Sequence, residues 1–275
     1  MDSGVKMDLG YVAGFFDGDG CILVTVRRFK DKKFPVHSLE TRVTSTNFGV
    51  LSALKESFGG SIVNQPDKRA RSPMWFWTTY HKAAGALLEK LFPHLLLKKE
   101  EAKVGLEFFD SRRVRANEMT DGELLRRESY KARLSKLKTK TVSVDGEAAD
   151  AYVAGLFDAE GSVSPVNNNG GHLYLLPQIT NTSRSVLEAV SRQFGGRIFS
   201  KGTVPPRRPC FVWRICEGES EEFFRRILPF LVVKRSAVEL SLEFLAAKKT
   251  EKERRHEIFM NPVLAVFKKR ISEAV

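Results

Sequence analysis

Four acidic residues stand out by their spacing: Asp17 and Asp19 in Tyr11-Val-Ala-Gly-Phe-Phe-Asp-Gly-Asp-Gly20, and Asp158 and Glu160 in Tyr152-Val-Ala-Gly-Leu-Phe-Asp-Ala-Glu-Gly161. The first segment reads as a short helix over Tyr11 to Gly18 and the second as its repeat, with the second acid at the C-terminal end of each. A carboxylate there faces the negative end of the helix macrodipole, and two such carboxylates side by side repel unless a cation lies between them. Oxygen donors suit Mg²⁺, and a metal held by Asp19 and Glu160 can activate water and stabilise a leaving oxygen in phosphodiester hydrolysis. One Asp-Gly-Asp-Gly alone would read as a plain turn or helix stop; two copies in matched contexts favour the chemistry.

The two acids stand 141 positions apart and need a scaffold that brings them together. Small residues recur at helical spacing, Ala13, Gly14 and Gly18 in one copy and Ala154, Gly155 and Ala159 in the other, leaving one face of each helix nearly bare. Glycine inside a helix costs up to about 1 kcal/mol relative to alanine, so a bare face calls for a compensating close backbone contact. The two helices are therefore expected to pack on each other, with Asp19 and Glu160 adjacent.

The repeat extends beyond the acidic segments. Phe58-Gly-Gly-Ser-Ile returns as Phe194-Gly-Gly-Arg-Ile, and Leu91-Phe-Pro-His-Leu-Leu-Leu-Lys98 as Ile227-Leu-Pro-Phe-Leu-Val-Val-Lys234, both offset by 136. The five-residue difference falls between Gly20 and Phe58, most simply in the first hairpin. A long period present twice implies a duplicated domain and not a solenoid. In the first copy strands are expected at 21–29, 36–45, 61–65 and 74–80, with helices at 46–58, 82–91 and 93–109. The second copy repeats them at 161–167, 173–180, 183–194, 197–201 and 210–216, then helically from 219. The expected organisation is a half at 1–110, a basic linker at 111–149 and a half at 150–275. Within the linker, 122–137 has helical character, and it suits either a phosphate backbone or a solvated connector.

Composition narrows the partners. The 275 residues carry 45 Lys and Arg against 33 Asp and Glu, a formal charge of +12, which favours nucleic acid but also fits a ribosomal protein or an anionic membrane surface. Cys21, Cys210 and Cys216 form no CxxC pair, against a disulfide framework or structural zinc. The longest apolar stretch, 227–233, is too short to span a bilayer, and the start shows no charged-then-apolar leader, so a soluble chain with no membrane partner is expected.

Both acidic segments closely resemble the LAGLIDADG motif of the homing endonucleases, and the element order agrees over nearly the whole chain, twice. The resemblance implies an α+β fold of two pseudo-symmetric αββαββα halves. Each would contribute a curved antiparallel sheet to a DNA-binding saddle, packed through the motif helices. It implies a monomeric, Mg²⁺-dependent endonuclease that cuts both strands of a long non-palindromic site in intron homing. Ca²⁺ would support binding without cleavage, and Mn²⁺ would substitute for Mg²⁺. By the same resemblance Asp19 and Glu160 are metal ligands, joined by the carbonyls of Gly18 and Ala159, while Asp17 and Asp158 serve helix ends and packing. Lys98 and Lys234 align with the family's basic residues near the scissile phosphates, and Ser45 and Asn181 with its small polar ones. Glutamate at 160, in place of aspartate, keeps the carboxylate on a longer arm.

Strand alternation assigns the readers of DNA. Val24 and Val26 face the core, so Thr25 and Arg27 face a groove, joined by Arg42. Ser164, Asn168 and Gln178 occupy the corresponding places in the second half, and Asn64 and Ser200 are added from the third strand of each half. The different sets imply unlike half-sites. Arg69 and Arg71, and Arg207 and Arg208, lie in loops between the last two strands and read as phosphate anchors. Trp75, Trp77 and Trp213 are given no base-stacking role. Two further readings keep the fold without cleavage: a maturase acting on intron RNA, and a non-catalytic DNA-binding regulator. Compartment is left as an organelle matrix or a bacterial or archaeal cytoplasm.

Overall fold

The computed structural model describes residues 7–65, 73–111, 119–138, 140, 142–167, 173–202, 209–253, 266–267, 269–271 and 273. The chain divides into two compact units, Met1–Val142 and Ser143–Val275, and each is α+β with the same four-stranded antiparallel sheet. Among the described residues no helix is long and apolar enough to cross a membrane.

The first unit runs α1 (Leu9–Asp19), β1 (Gly20–Arg27), β2 (Val36–Ser45), α2 (Phe48–Phe58), β3 (Ser61–Gln65), β4 (Met74–Tyr80), α3 (His81–Leu91), α4 (Lys99–Ser111) and α5 (Asp121–Leu137). The sheet order is β1-β2-β4-β3. Asp8 caps α1 through Tyr11 N–H and Asn47 caps α2 through Val50 N–H, each supplying an acceptor to a helix start. Gly59 and Gly60 end α2 at φ of 73° and 90°, where a side chain is strained. A Cβ on Gly60 would also lie 2.5 Å from the Thr78 carbonyl oxygen.

Register fixes which face of the sheet is core. Ile22 pairs with Thr41, Val24 with Leu39, and Val43 with Trp77; all six are buried and share one face. α4 presses on that face at Gly105, where a Cβ would meet Leu88, Ile22 and Leu39 at 3.0–3.3 Å. The indole N–H of Trp77 donates to Gly59 O at 2.8 Å, so its only polar atom is satisfied inside. α5 packs on α4 and on β1, the edge strand, and buries Arg127 and Leu134.

The second unit repeats the order as α6 (Asp150–Glu160), β5 (Gly161–Asn167), β6 (Leu173–Asn181), α7 (Arg184–Phe194), β7 (Arg197–Lys201), β8 (Cys210–Arg214), α8 (Glu217–Ile227), a short 3-10 turn at Leu228–Phe230 and α9 (Arg235–Glu253). Its sheet order is β5-β6-β8-β7. Trp213 is again buried and donates to Gly195 O at 2.9 Å. Here the core gathers around Phe223, with the rings of Phe157, Phe194, Trp213 and Phe224 at 5.1–5.6 Å. Asp150 holds the start of α6 against α8 and α7 through Arg226 at 2.6 Å and Gln193 at 2.8 Å.

Five expected spans match their elements at both ends: 36–45, 61–65, 74–80, 161–167 and 197–201. One expectation needs correction. A helix over 93–109 begins only at Lys99, because residues 96–98 give their N–H groups to a side chain far away in sequence.

Candidate active site

The end of each motif helix is built by an exchange between two helices. Asp17, 2% exposed near the end of α1, accepts from the N–H groups of Leu96 and Leu97 through Oδ2, both at 2.8 Å, and of Lys98 through Oδ1 at 2.9 Å. Lys98 O then accepts from Ala102 N, opening α4. A carboxylate over the first N–H groups of a helix meets both its unsatisfied donors and the positive end of its dipole. In return, the Lys98 ammonium donates to the main-chain oxygen of Asp17, at the carbonyl end of α1. The acid anchors the start of one helix and the lysine closes the end of the other.

The second unit repeats every bond. Asp158, 3% exposed, accepts from Val232 and Val233 at 2.8 Å through Oδ2 and from Lys234 at 2.8 Å through Oδ1, and the Lys234 ammonium donates to Asp158 O. This geometry gives Asp17 and Asp158 the helix-end and packing work, and it brings each lysine to the end of the motif helix that carries Asp19 or Glu160. Those two acids are the half-buried last residues of α1 and α6. Gly20 and Gly161 follow as caps whose N–H groups donate to Phe16 O and Phe157 O. Glycine is required for space: a Cβ on Gly20 would sit 2.4 Å from Phe16 O, and on Gly161 2.3 Å from the Phe157 ring.

Ser45 and Asn181 end β2 and β6, and each accepts a bond from the main chain two residues on, Asn47 N to Ser45 Oγ at 3.1 Å and Ser183 N to Asn181 Oδ1 at 2.8 Å. They therefore also shape the entries to α2 and α7.

On the sheet face opposite the core, Cys21, Arg42, Thr78 and Ser61 lie in one cross-strand row, and Thr25 and Arg27 continue along β1. Thr25 donates to Ser38 O at 3.3 Å. Arg42 bonds to Glu40 at 2.6 Å and stacks over Phe76 at 4.9 Å. The matching row in the second half is Ser162, Gln178, Arg214 and Arg197, with Ser164 exposed beside it. Gln178 donates to Ser162 at 3.2 Å and accepts from Arg214 Nε at 3.2 Å, while Arg214 stacks over Phe199 at 5.5 Å.

Two of the expected readers fall on the other face. Asn64 pairs with Trp75 and Ser200 with Phe211, which puts both on the side of the buried tryptophans; they are exposed there but do not share the face of Arg42 and Gln178. Arg197 and Arg214 share the open face of Gln178 and were not among the expected readers. Strand parity carried the signal, since a buried Trp213 turns its neighbour Arg214 to the open face. Arg69, Arg71, Asn168, Arg207 and Arg208 lie outside the described residues.

The model of the LAGLIDADG endonuclease matches residues 12–103, and that of the LAGLIDADG-like domain matches residues 147–228. The chain belongs to the LAGLIDADG family. By sequence, no curated protein matches it. Among solved structures it resembles the LAGLIDADG homing endonuclease I-GzeII in complex with its DNA target, with a TM-score of 0.75, 12% identity, and coverage of 96% of this chain and 97% of that one. I-SmaMI bound to uncleaved DNA in the presence of calcium ions gives 0.73, 16%, 98% and 99%. I-SmaMI bound to cleaved DNA gives 0.67, 17%, 98% and 97%. At these identities the likeness establishes the fold.

Among the described residues no group of three or more His, Cys, Asp or Glu side chains is clustered to hold a metal. In this LAGLIDADG chain the motif offers another donor set in each half: one half-buried carboxylate beside the carbonyl end of a helix, where main-chain oxygens lack intrahelical partners. Those are hard oxygen donors, which fit Mg²⁺ or Ca²⁺ when phosphate and water complete the shell.

Proposed function

We propose that this LAGLIDADG protein is a site-specific, single-chain homing endonuclease that hydrolyses both strands of a long asymmetric double-stranded DNA site with a divalent metal. The observation that carries the reading is the recurrence of one unit of construction in both halves, a half-buried acid ending the motif helix with a lysine ammonium bonded two residues before it. Asp19 and Glu160, each with the carbonyl before it on Gly18 or Ala159, would hold divalent metal in their respective halves. A divalent metal bound by these residues would supply an activated water and stabilisation of the leaving oxygen.

The rest of the chemistry belongs to the chain. Lys98 and Lys234 each hold positive charge beside one scissile phosphate, where a fixed ammonium stabilises developing negative charge. Ser45 and Asn181 orient water at the same ends. The open faces of the two sheets read bases through Arg42 and Thr25 in one half and Gln178, Ser164 and Arg214 in the other, and the unlike rows suit unlike half-sites. A formal charge of +12 supports binding to the phosphate backbone, as does the likeness to proteins solved on DNA.

The test is selection from a randomised double-stranded DNA library with wild-type protein in Mg²⁺, beside a chelated control. The reading requires a recurring long, non-palindromic cleaved site that disappears on chelation. DNA bound but never cut in Mg²⁺ or Mn²⁺ would turn the assignment to the binding-only readings, with intron RNA tested next.

A further inference from the structure

Charge is divided sharply along α5 and its cap. Residues 121–130 mix Asp121, Glu123 and Glu128 with Arg126 and Arg127, whereas residues 131–140 carry five cations, Lys131, Arg133, Lys136, Lys138 and Lys140, and no acid. The helix dipole favours cations in the last turn only, so it does not account for Lys131 and Arg133. Packing sends the cations in different directions. Tyr130 meets the Phe108 ring edge-on at 5.7 Å and Arg133 reaches Glu107 at 2.7 Å, so that flank of α5 lies on α4.

The other flank runs beside β1, the edge strand of the sheet. Positions 127, 131, 134 and 138 fall on one helical stripe, at spacings of four, three and four. Arg127 and Leu134 are buried along it, Lys131 between them is exposed, and Lys138 is half-buried. Lys138 marks where the stripe emerges. Its ammonium donates to Cys21 Sγ at 3.1 Å, and Cys21 opens the cross-strand row of Arg42, Thr78 and Ser61 on the open face. A thiol sulfur is a weak acceptor for a strongly hydrated ammonium, and an anionic phosphate oxygen is a far stronger one. The fold thus holds a cation at the margin of the reading face, beside the residue that stands two places after Asp19.

We propose that the β1 flank of α5 is a phosphate rail for the duplex whose bases the first sheet reads, with Lys131 and Lys138 each neutralising one backbone phosphate of that half-site. The inference rests on the endonuclease reading, which puts DNA on the open face. Charge complementarity and the reach of Lys138 to the open-face row select the partner. Lys131 and Lys138 lie seven residues, or roughly 10 Å, apart along the helix, so they meet separate phosphates. The rail fixes the duplex against the sheet edge and reads no base.

The experiment uses full-length protein and the site recovered from the library, with affinity measured in Ca²⁺ from about 50 to 200 mM KCl. Lys131→Gln and Lys138→Gln should each lower the slope of log affinity against log salt by about 0.9 and the double variant by about 1.8, so that the wild type's advantage over the double variant shrinks about tenfold across that range. Lys138→Arg keeps the charge and should keep the slope. Lys136→Gln removes an equal charge about half a turn round the helix from Lys138 and should leave the slope unchanged. Ethylation of single phosphates in the first half-site should weaken wild-type binding at positions where the double variant no longer responds, while the profile of cleaved sequences stays the same. Equal slopes for wild type and double variant, or an equal loss in Lys136→Gln, would overturn the inference, and cutting of the site by wild type would still uphold the endonuclease reading. A wild type that binds no duplex would instead remove that reading.

Discussion

Replacing Asp17 with asparagine separates structure from chemistry within one motif. The carboxylate accepts three main-chain N–H bonds at 2.8–2.9 Å while 2% exposed. Asparagine retains one acceptor oxygen, enough for the two donors now on Oδ2, and turns its NH₂ group toward the Lys98 N–H. One charge-assisted bond is lost, worth about 1.5–3 kcal/mol, and a buried donor is left unmade at a further ~1–3 kcal/mol. Loss of the negative charge from the start of α4 adds up to about 1 kcal/mol. The sum is roughly 2.5–7 kcal/mol, and since 1 kcal/mol moves the Tm of a domain of this size by about 2–4 °C, a fall on the order of 10 °C is expected. Asp158→Asn should fall by a similar amount, because its three bonds are equal within 0.1 Å. Asp19→Asn, two residues away, should abolish cleavage with Tm held within a few degrees. Calorimetry beside a cleavage assay reads both effects. An Asp17→Asn protein that melts within 1 °C of wild type would refute the anchoring argument.

Three further outcomes follow from the same geometry. Gly20→Ala drives a Cβ to 2.4 Å from a main-chain oxygen, so it should destabilise by about 1–3 kcal/mol in chemical denaturation despite an ordinary φ of −84°. Arg214→Ala should relax base preference at one position of one half-site, by about 1–3 kcal/mol of discrimination, in a profile of cleaved sequences. His37 is 2% exposed, and burial first, then the Arg127 charge, lowers its pKa below 6.5. The unfolded chain therefore takes up the proton first, and the stability of the first half should fall as pH drops below about 6.5 toward the lowered folded value. His37→Phe should flatten that part of the stability profile measured between pH 7.5 and 5.

Much of this architecture is legible in the sequence because it is local or repeated. Trp77 and Trp213 sit at the same place in alternating strands, and both are buried with their indole N–H groups on glycine carbonyls. The glycine pairs at 59–60 and 195–196 mark the same helix ends. Less legible is what depends on partners far apart in the chain. Residues 93–98 carry a helical pattern, yet Asp17, some 80 residues earlier, takes the N–H groups of 96–98, and the helix begins only at Lys99. Asn64 and Ser200 are exposed polar residues in short strands, and only the pairing of Asn64 with Trp75 and Ser200 with Phe211 fixes their face. The helical character of 122–137 can be read from composition, but its packing on β1 and the burial of Arg127 cannot.

The proposal that both Asp19 and Glu160 are needed for cleavage is tested most directly by cleavage of the recovered target by wild type, Asp19→Asn, Glu160→Gln and the double variant, in Mg²⁺ for cutting and in Ca²⁺ for binding. It predicts that every variant binds the site as tightly as wild type within about threefold, or 0.65 kcal/mol, and that each single substitution removes cleavage of both strands. Persistent cutting by the double variant, or loss of binding in either single one, would contradict it.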